Sequence, residues 1–499
     1  MSTGTFELPP APRRRWPWIV VVLAVVAGLV FGGISLYRHV FVSCGSGLKK
    51  TGPHDECIGV SGSKAFDSSL KTVMRQISDE NKAVAKSGKK SVTVAYVEPI
   101  TDDPTEVAFK YDIREELEGA YLAQRQLNDA ALGGHGDNPQ IRLVVANVGL
   151  KSQQWKPVAD KLISMTKDGS HLVAVAGFGQ SREGTLSLVD ALRDAKVPVP
   201  MMGATVTADE LASKDKVGFF RSAVPNSDQV GAMVKYLKGK QKSEAGYQVM
   251  VIRDRSNGDI YNTSLYQDFL SSARTQKLSV LSSEAQYLSG SDGVSNAFSS
   301  VADQVCGKKP DAVFFAGRGE NLRGFITAMS APDRRCPVTL LTGDDAVGVY
   351  YDQSTSQTVR TRFASDWKVS GVRVLYSALA HPALPAKLPP PGDRFYQDLL
   401  EQYHSRFGGT GDAEFQDGQA ILGHDAVWTL GLAIRNAAGP DGAPVTAGST
   451  MNALVSLSSV EGAGGPIQFG PNGDPQNKPM SLVELTPDEK YTFQQVLRP

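Results

Sequence analysis

Hydroxyl-bearing residues follow two consecutive apolar runs of the chain, and they favour a site for a small polar molecule. The run at 172–177 ends in glycine and leads to Ser181, where a helical pattern begins. The run at 197–202 is followed by Thr205 and Thr207. A serine hydroxyl beside the free N–H groups at the start of a helix can bind a carboxylate. A simple helix cap at Ser181 and turn residues at the threonines are the alternatives.

A carboxylate at the end of a third apolar run adds a preference for positive charge. Asp345 follows the run at 337–341 after Gly343, and an aspartate there can pair with an ammonium group. Ligands of open α/β sheets bind at the carboxyl ends of the strands, so these groups would meet at one edge. Acceptors for an anion and for a cation together suit a zwitterion.

The sequence contains no assembled catalytic or metal-binding motif. The stretch Gly179–Gly184 is one residue too long for a G-x-S-x-G nucleophile turn, and no histidine is placed as its base. Phosphate-loop, H-E-x-x-H and EF-hand patterns are missing, and the seven histidines lack zinc-ligand spacing. The 52 basic residues balance the 52 acidic ones, which argues against nucleic-acid binding. We therefore expect no enzymatic activity, no metal and no cofactor.

The elements that must position these residues alternate between apolar runs and amphipathic stretches from Ser91 onward. This alternation predicts an α/β protein with parallel sheets, and the number of runs requires two doubly wound lobes joined by a hinge. The predicted division is lobe 1 at 91–223 and 350–455, lobe 2 at 224–349, and C-terminal strands at 456–499 that belong mainly to lobe 2.

The first 37 residues have the composition of a membrane anchor. Arg13–Arg15 precede Trp18–Leu36, which is 19 residues without a charge, and a helix rising 1.5 Å per residue would cover about 28 Å. By the positive-inside rule, residues 1–15 form a cytoplasmic tail and 16–37 a single transmembrane helix in the cell membrane. Everything after it would be extracytoplasmic, with a Gly/Ser/Lys-rich stalk and a docking helix at 38–90. A cleaved signal peptide is the alternative.

The four cysteines agree with an extracytoplasmic location. An even number of cysteines outside the cytosol favours disulfides. Proximity along the chain favours the pairs Cys44–Cys57 and Cys306–Cys336 over the other pairings. Four buried free thiols are the alternative.

Several motifs between residues 91 and 485 resemble, in order, the amino-acid-binding type 1 periplasmic binding proteins, the family of the leucine/isoleucine/valine receptor. The similar segments are Ser91–Val97, Gly119–Asp129, Val175–Ser181, Thr207–Leu211, Phe220–Arg221, Asp311–Gly317 and Phe469–Asp474. The resemblance implies two lobes that trap a ligand between them, without catalysis, for an ABC permease. It implies that Ser181, Thr205 and Thr207 hold the ligand carboxylate and part of its amine, and that Asp345 lies where the family often has an acid for the ammonium group.

Three segments depart from the pattern of that family. Ala146–Gly149 replaces an acidic pair, Arg318 stands where an aromatic residue often lines the pocket, and Gly258–Asn262 follows the family's turn only loosely. Arg182 and Arg318 would make the cleft more cationic, so Arg318 is also predicted to bind ligand. We expect a membrane-anchored protein that captures an amino acid or a similar small polar solute. A sensor or interaction ectodomain of the same fold is the alternative.

Overall fold

The computed structural model describes residues 43–499 and, of the first 42 residues, only Val21, Leu23 and Ala24. Within 43–499 it leaves out positions 54, 102–106, 130–138, 213–217, 351–355, 391 and 439–443. Apart from those three positions, the predicted cytoplasmic tail and transmembrane helix lie outside the described residues. None of the helices that are described is long and apolar enough to span a bilayer.

The first lobe is built on a sheet of eight described strands in the order β1-β2-β3-β5-β4-β6-β7-β8. The strands are β1 (Ser43–Gly45), β2 (Leu48–Thr51), β3 (Glu56–Ser61), β4 (Ser91–Glu98), β5 (Gln140–Asn147), β6 (Leu172–Gly177), β7 (Met201–Gly203) and β8 (Phe219–Arg221). Strands β5, β4, β6, β7 and β8 run parallel to one another.

Helices cover both faces of this first sheet. They are α1 (Lys71–Ser87), α2 (Val107–Asn128), α3 (Trp155–Met165) and α4 (Glu183–Arg193). In the central strand β4, Val94 and Tyr96 pack into one core while Ala95 and Val97 pack into the other. Successive strand side chains point to opposite faces, so a strand buried on both sides becomes a continuous apolar run. This is why the sequence pattern at β4 was easy to recognise.

Strands β1, β2 and β3 extend the first sheet in the part of the chain where the sequence predicted a stalk. Strand β3 pairs antiparallel with β5, and β1 and β2 continue the sheet outward. The predicted disulfide Cys44–Cys57 is confirmed, with an S–S distance of 1.99 Å. Leu48 is buried while Lys49, which points to the opposite face of the strand, is exposed. The polar outer face explains why the composition resembled a stalk.

The second lobe is built on a sheet of seven described strands in the order β10-β9-β11-β12-β13-β16-β17. They are β9 (Val249–Asp254), β10 (Ala285–Tyr287), β11 (Ala312–Ala316), β12 (Val338–Thr342), β13 (Val372–Ala378), β16 (Met480–Leu485) and β17 (Tyr491–Leu497). The strands from β9 to β13 are parallel, whereas β16 and β17 are antiparallel. The predicted Cys306–Cys336 disulfide is confirmed at 1.95 Å.

The helices of this lobe also cover both faces of their sheet. They are α5 (Asn226–Ser243), α6 (Ile260–Thr275), α7 (Val294–Lys308), α8 (Gly319–Met329) and α9 (Gln357–Ser370). The buried side chains of α9, Phe363 and Trp367, belong to the core of the second lobe. The chain therefore stays in this lobe through β13, beyond the boundary predicted at residue 350.

The chain then returns to the first lobe. Helices α10 (Gly392–Phe407), α11 (Gln419–Ala438) and α12 (Ala447–Val455) follow, with a small ribbon of β14 (Val460–Gly462) and β15 (Gly465–Ile467). Helix α11 packs along α2 so closely that Gly119 faces the Ala420 carbonyl. Within the described residues, the chain passes between the lobes after β8, after β13 and before β16. The two-lobe α/β fold expected from the sequence is confirmed.

Candidate functional site

A cleft between the two lobes brings together the residues that the sequence singled out. Its empty volume is about 720 Å³, counted out to its opening and including open solvent. All five predicted ligand-binding residues line it, namely Ser181, Thr205, Thr207, Arg318 and Asp345. The first three come from strand ends of the first lobe and the other two from strand ends of the second.

Ser181 joins two neighbouring loops of the first lobe. It is not the cap of α4, because Arg182 occupies the N-cap position. The Ser181 hydroxyl oxygen instead accepts hydrogen bonds from the N–H groups of Thr207 at 3.0 Å and Ala208 at 3.2 Å. The loops after β6 and β7 are therefore fixed against each other at the cleft.

Both threonine hydroxyls face carboxylates. Thr205 Oγ1 donates to Glu116 Oε1 at 2.9 Å, and Thr207 Oγ1 donates to Asp344 Oδ1 at 3.3 Å. Gln229 also donates to the same Asp344 oxygen, at 3.0 Å. The threonine protons that were predicted to bind a ligand carboxylate are thus directed to carboxylates of the protein.

Arg318 is buried and held by acidic partners. Its guanidinium donates to both oxygens of Asp259 at 2.9 Å and to Asp345 at 2.6 Å, and it also reaches the Ser181 carbonyl at 3.2 Å. The group lies over the Tyr261 ring, 4.6 Å from its centre. Burial disfavours the charged form of Arg318, yet Asp259 and Asp345 outweigh it and raise its pKa well above the ordinary value.

Asp345 lies in the cleft as predicted, but the protein already supplies a cation for it. Besides accepting from Arg318, it accepts from the N–H of Gly319 at the start of α8, at 2.9 Å. Its role as the ammonium partner of a ligand stays a prediction. Sequence reasoning named both residues but could not show that they pair with each other.

Asp259 connects the lobes through a second arginine. It accepts from Arg182 of the first lobe at 2.5 Å while it holds Arg318 of its own lobe. Burial alone would raise the pKa of Asp259, but Arg318 and Arg182 lower it. The two arginines expected to make the cleft more cationic are therefore neutralised by Asp259 and Asp345.

Two buried acids of the first lobe lie at the cleft and were missed by sequence reasoning. Glu98 ends β4 and is fully buried, and Glu116 lies on α2 beside it. Tyr96 donates to Glu116 at 2.8 Å. Burial raises the pKa of Glu116 to about 7, and burial together with the Glu116 charge raises the pKa of Glu98 well above its ordinary value. Glu98 follows an apolar strand as Asp345 does, so its position was the available signal.

The second lobe contributes a similar acid. Burial raises the pKa of Asp344 to about 7, although Gln229 works in the opposite direction through its hydrogen bond. In the described part of the chain, no group of three or more His, Cys, Asp or Glu side chains could hold a metal ion.

Comparison with known proteins places these features in context. A family model described as periplasmic binding protein matches residues 108–490. No curated protein matches the chain. Among solved structures, the leucine-binding protein LivK of Thermotoga maritima aligns with 19% identity and a TM-score of 0.59, over 82% of this chain and 99% of that one.

Two further solved structures are similar. The branched-chain amino acid transporter substrate-binding protein LivJ of Streptococcus pneumoniae, in complex with isoleucine, aligns with 18% identity and a TM-score of 0.58, over 82% of this chain and 100% of that one. An ABC transporter substrate-binding protein of Desulfitobacterium hafniense in complex with Leu aligns with 18% identity and a TM-score of 0.57, over 81% and 100%. At these identities the likeness shows the fold.

Proposed function

The chain belongs to the periplasmic binding protein family, and from this premise we propose that it is an extracytoplasmic solute-binding protein. Its ligand is an amino acid or a similar small polar solute, captured between the lobes. The observation that carries the proposal is a cleft to which both lobes contribute polar side chains at their strand ends. The relatives named above as leucine-binding, or solved with leucine or isoleucine, support this class of solute.

Hinge closure is the proposed mechanism. The open protein binds the solute on one lobe, and contacts from the other lobe then favour the closed state. Contacts between the lobes already exist beside the cleft, from Arg182 to Asp259 and from Arg318 to the Ser181 carbonyl. Solute binding has to favour closure further, because a ligand shifts the equilibrium only by its differential affinity for the two states.

We also propose that residues 16–37 anchor the protein in the cell membrane as a single transmembrane helix and that an ABC permease receives the solute. The charge pattern around Trp18–Leu36 and the two disulfides support an extracytoplasmic lobe pair. Amino-terminal sequencing of the mature protein tests the anchor. A start after Tyr37 would show cleavage and would contradict it.

A thermal-shift screen of the full chain in detergent tests solute binding. The compounds are the amino acids, small amines and small organic anions. A ligand at 100 times its dissociation constant stabilises the native state by about 2.7 kcal/mol. We expect at least one compound to raise the melting temperature.

A matched pair of variants shows whether such a shift comes from the cleft. Thr205→Val removes a cleft hydroxyl, whereas Thr275→Val removes an exposed hydroxyl on α6. We expect the shift to shrink in the first variant and to persist in the second. A screen without any stabilising solute, or equal shifts in both variants, would contradict the proposal.

A further inference from the structure

The cleft has an unusual charge balance for a site that was expected to bind a zwitterion. Within the described part of the chain, six carboxyl side chains and one guanidinium line it. The carboxyl groups are Glu98, Asp112, Glu116, Glu320, Asp344 and Asp345. The guanidinium of Arg318 is already bound by Asp259 and Asp345, so it offers little positive charge to a ligand.

The same cleft is poorly equipped to hold a carboxylate. The hydroxyls of Thr205 and Thr207 donate to Glu116 and Asp344. The Ser181 oxygen is already an acceptor for two backbone N–H groups. A ligand carboxylate would have to compete with Glu116 and Asp344 for the two threonine hydroxyl protons. It would also lie among like charges, which disfavours its ionised form.

Glu98 provides a second and independent observation. Its side chain is fully buried and lines the cleft, and no N–H or hydroxyl donor of the described residues reaches its carboxyl oxygens. The group that shares a hydrogen bond with it is another acid, Glu116. The charges that act on it most strongly are those of Glu116 and Asp112, which are also acidic. Leaving a buried polar group without a donor costs free energy, and an ammonium group in the cleft would supply that donor.

We propose that the cleft binds an organic cation of the aliphatic amine class and that a carboxylate on the ligand is not required. The inference rests on the proposed solute-binding function and narrows its ligand class. Glu98 and Glu116 belong to the first lobe, while Asp344 and Asp345 belong to the second. A cation between them offsets the repulsion between the acids of the two lobes. Because it contacts the acids of both lobes only when the cleft is closed, it binds the closed state more tightly than the open one and so favours closure.

Protons are released when such a cation binds. The pKa values of Glu116 and Asp344 are raised to about 7 by burial, so both carboxyl groups are partly protonated near neutral pH. A bound ammonium group favours their ionised forms, and the affinity for an amine therefore increases as the pH rises through this range. The groups facing Glu116 are Tyr96, Glu98, Thr205 and Asp417. Those facing Asp344 are Thr207, Gln229, Tyr261, Arg318, Asp345 and Tyr376.

Isothermal titration calorimetry on the full chain tests the inference. The probes are putrescine, spermidine and agmatine on one side and L-leucine and L-glutamate on the other. We expect an amine to bind at least about ten-fold more tightly than either amino acid, a difference that corresponds to roughly 1.4 kcal/mol. Repeating the titration in buffers of different ionisation enthalpy should reveal proton release near pH 7, about the pKa of the two carboxyl groups.

Two substitutions connect binding to the acids. Glu98→Gln removes this buried carboxyl group, and we expect it to weaken amine binding by about ten-fold or more, the loss typical of a charged hydrogen bond. Asp344→Asn tests the second lobe in the same way, in case Glu98→Gln does not fold. The matched controls are Glu401→Gln and Asp333→Asn at exposed positions, and they should leave binding unchanged.

The outcomes separate this inference from the function on which it rests. If leucine or glutamate binds as tightly as the best amine, the inference is wrong while solute binding stands. If no amine binds but another solute does, the inference is again wrong. If none of the probes and no compound of the thermal-shift screen binds, the proposed function fails together with it.

Discussion

Removal of the Asp259 side chain should destabilise the protein far more than removal of a comparable surface acid. Asp259 is 2% exposed and neutralises Arg182 at 2.5 Å and Arg318 at 2.9 Å. Breaking a buried ion pair from one side costs about 3–5 kcal/mol. Asp259 is also the N-cap of α6, where its side chain accepts from the Asn262 N–H, and loss of a cap costs about 1 kcal/mol.

We therefore expect Asp259→Ala to lower the free energy of unfolding by roughly 4–6 kcal/mol, out of a typical total of about 5–15 kcal/mol. Urea denaturation of the full chain measures this loss. The control is Asp303→Ala, whose acid pairs with Arg334 at 2.6 Å but is 58% exposed, and a surface pair contributes about 1 kcal/mol or less. Equal losses in the two variants would refute the reasoning.

The same substitution tests whether Asp259 helps to hold the lobes together. Arg182 belongs to the first lobe and Asp259 to the second, so Asp259→Ala removes a direct contact between them. Small-angle X-ray scattering should then give a larger radius of gyration for Asp259→Ala than for Asp303→Ala. An unchanged radius of gyration would show that closure does not depend on this ion pair.

Two further predictions concern packing and pH. At Gly119 on α2 a β-carbon would lie 1.9 Å from the Ala420 carbonyl oxygen, so Gly119→Ala should cost roughly 1–3 kcal/mol by overpacking. A β-carbon at Gly231 on α5 would meet nothing within 4 Å, so Gly231→Ala should stabilise the protein by up to about 1 kcal/mol. Calorimetry should therefore give a lower melting temperature for Gly119→Ala than for Gly231→Ala, and the opposite order would contradict the close packing of α11 on α2. Burial and Asp209 raise the pKa of Asp268 from 3.8 to about 8, so the folded state binds this proton more tightly than the unfolded state does. The stability that comes from the bound proton is lost as the pH rises from about 4 to about 8. Urea denaturation should therefore give a higher free energy of unfolding for Asp268→Asn than for the parent near pH 8, and a nearly equal one near pH 4. A difference between variant and parent that does not change with pH would contradict this.

The sheet strands were predictable wherever both of their faces are buried. The runs at 140–147 and 172–177 coincide with β5 and β6, because helices cover both sides of the sheet there. Strand β13 gave no such run. It carries the exposed Arg373 and the buried Ser377, whose hydroxyl donates to Gln229. Polar residues that have a partner elsewhere in the fold interrupt the apolar pattern by which a strand is recognised. For this reason β13 was not predicted, and the lobe boundary was placed too early in the chain.

The position of the site was predictable, but its charge was not. Ser181, Thr207 and Asp345 reach the cleft because strand ends meet there, which depends on topology alone. The pairing of Asp345 with Arg318 depends on how two loops of the second lobe approach each other. Glu116 lies in the middle of α2, and the residue that it contacts, Thr205, is 89 positions away in the sequence. No local pattern indicates such a contact.

Blocking the cleft provides the most direct test of solute binding. Gly348 lines the cleft, and a β-carbon there would meet no atom closer than 3.5 Å, so the site admits a side chain and the bulk of Gly348→Trp should obstruct the cleft. Gly307 is exposed, with nothing within 4 Å of such a carbon, and Gly307→Trp is the matched control. Native mass spectrometry of the full chain, with the best solute of the screen, should show one bound molecule on the parent and on Gly307→Trp and none on Gly348→Trp. Equal occupancy on all three would contradict a solute site between the lobes.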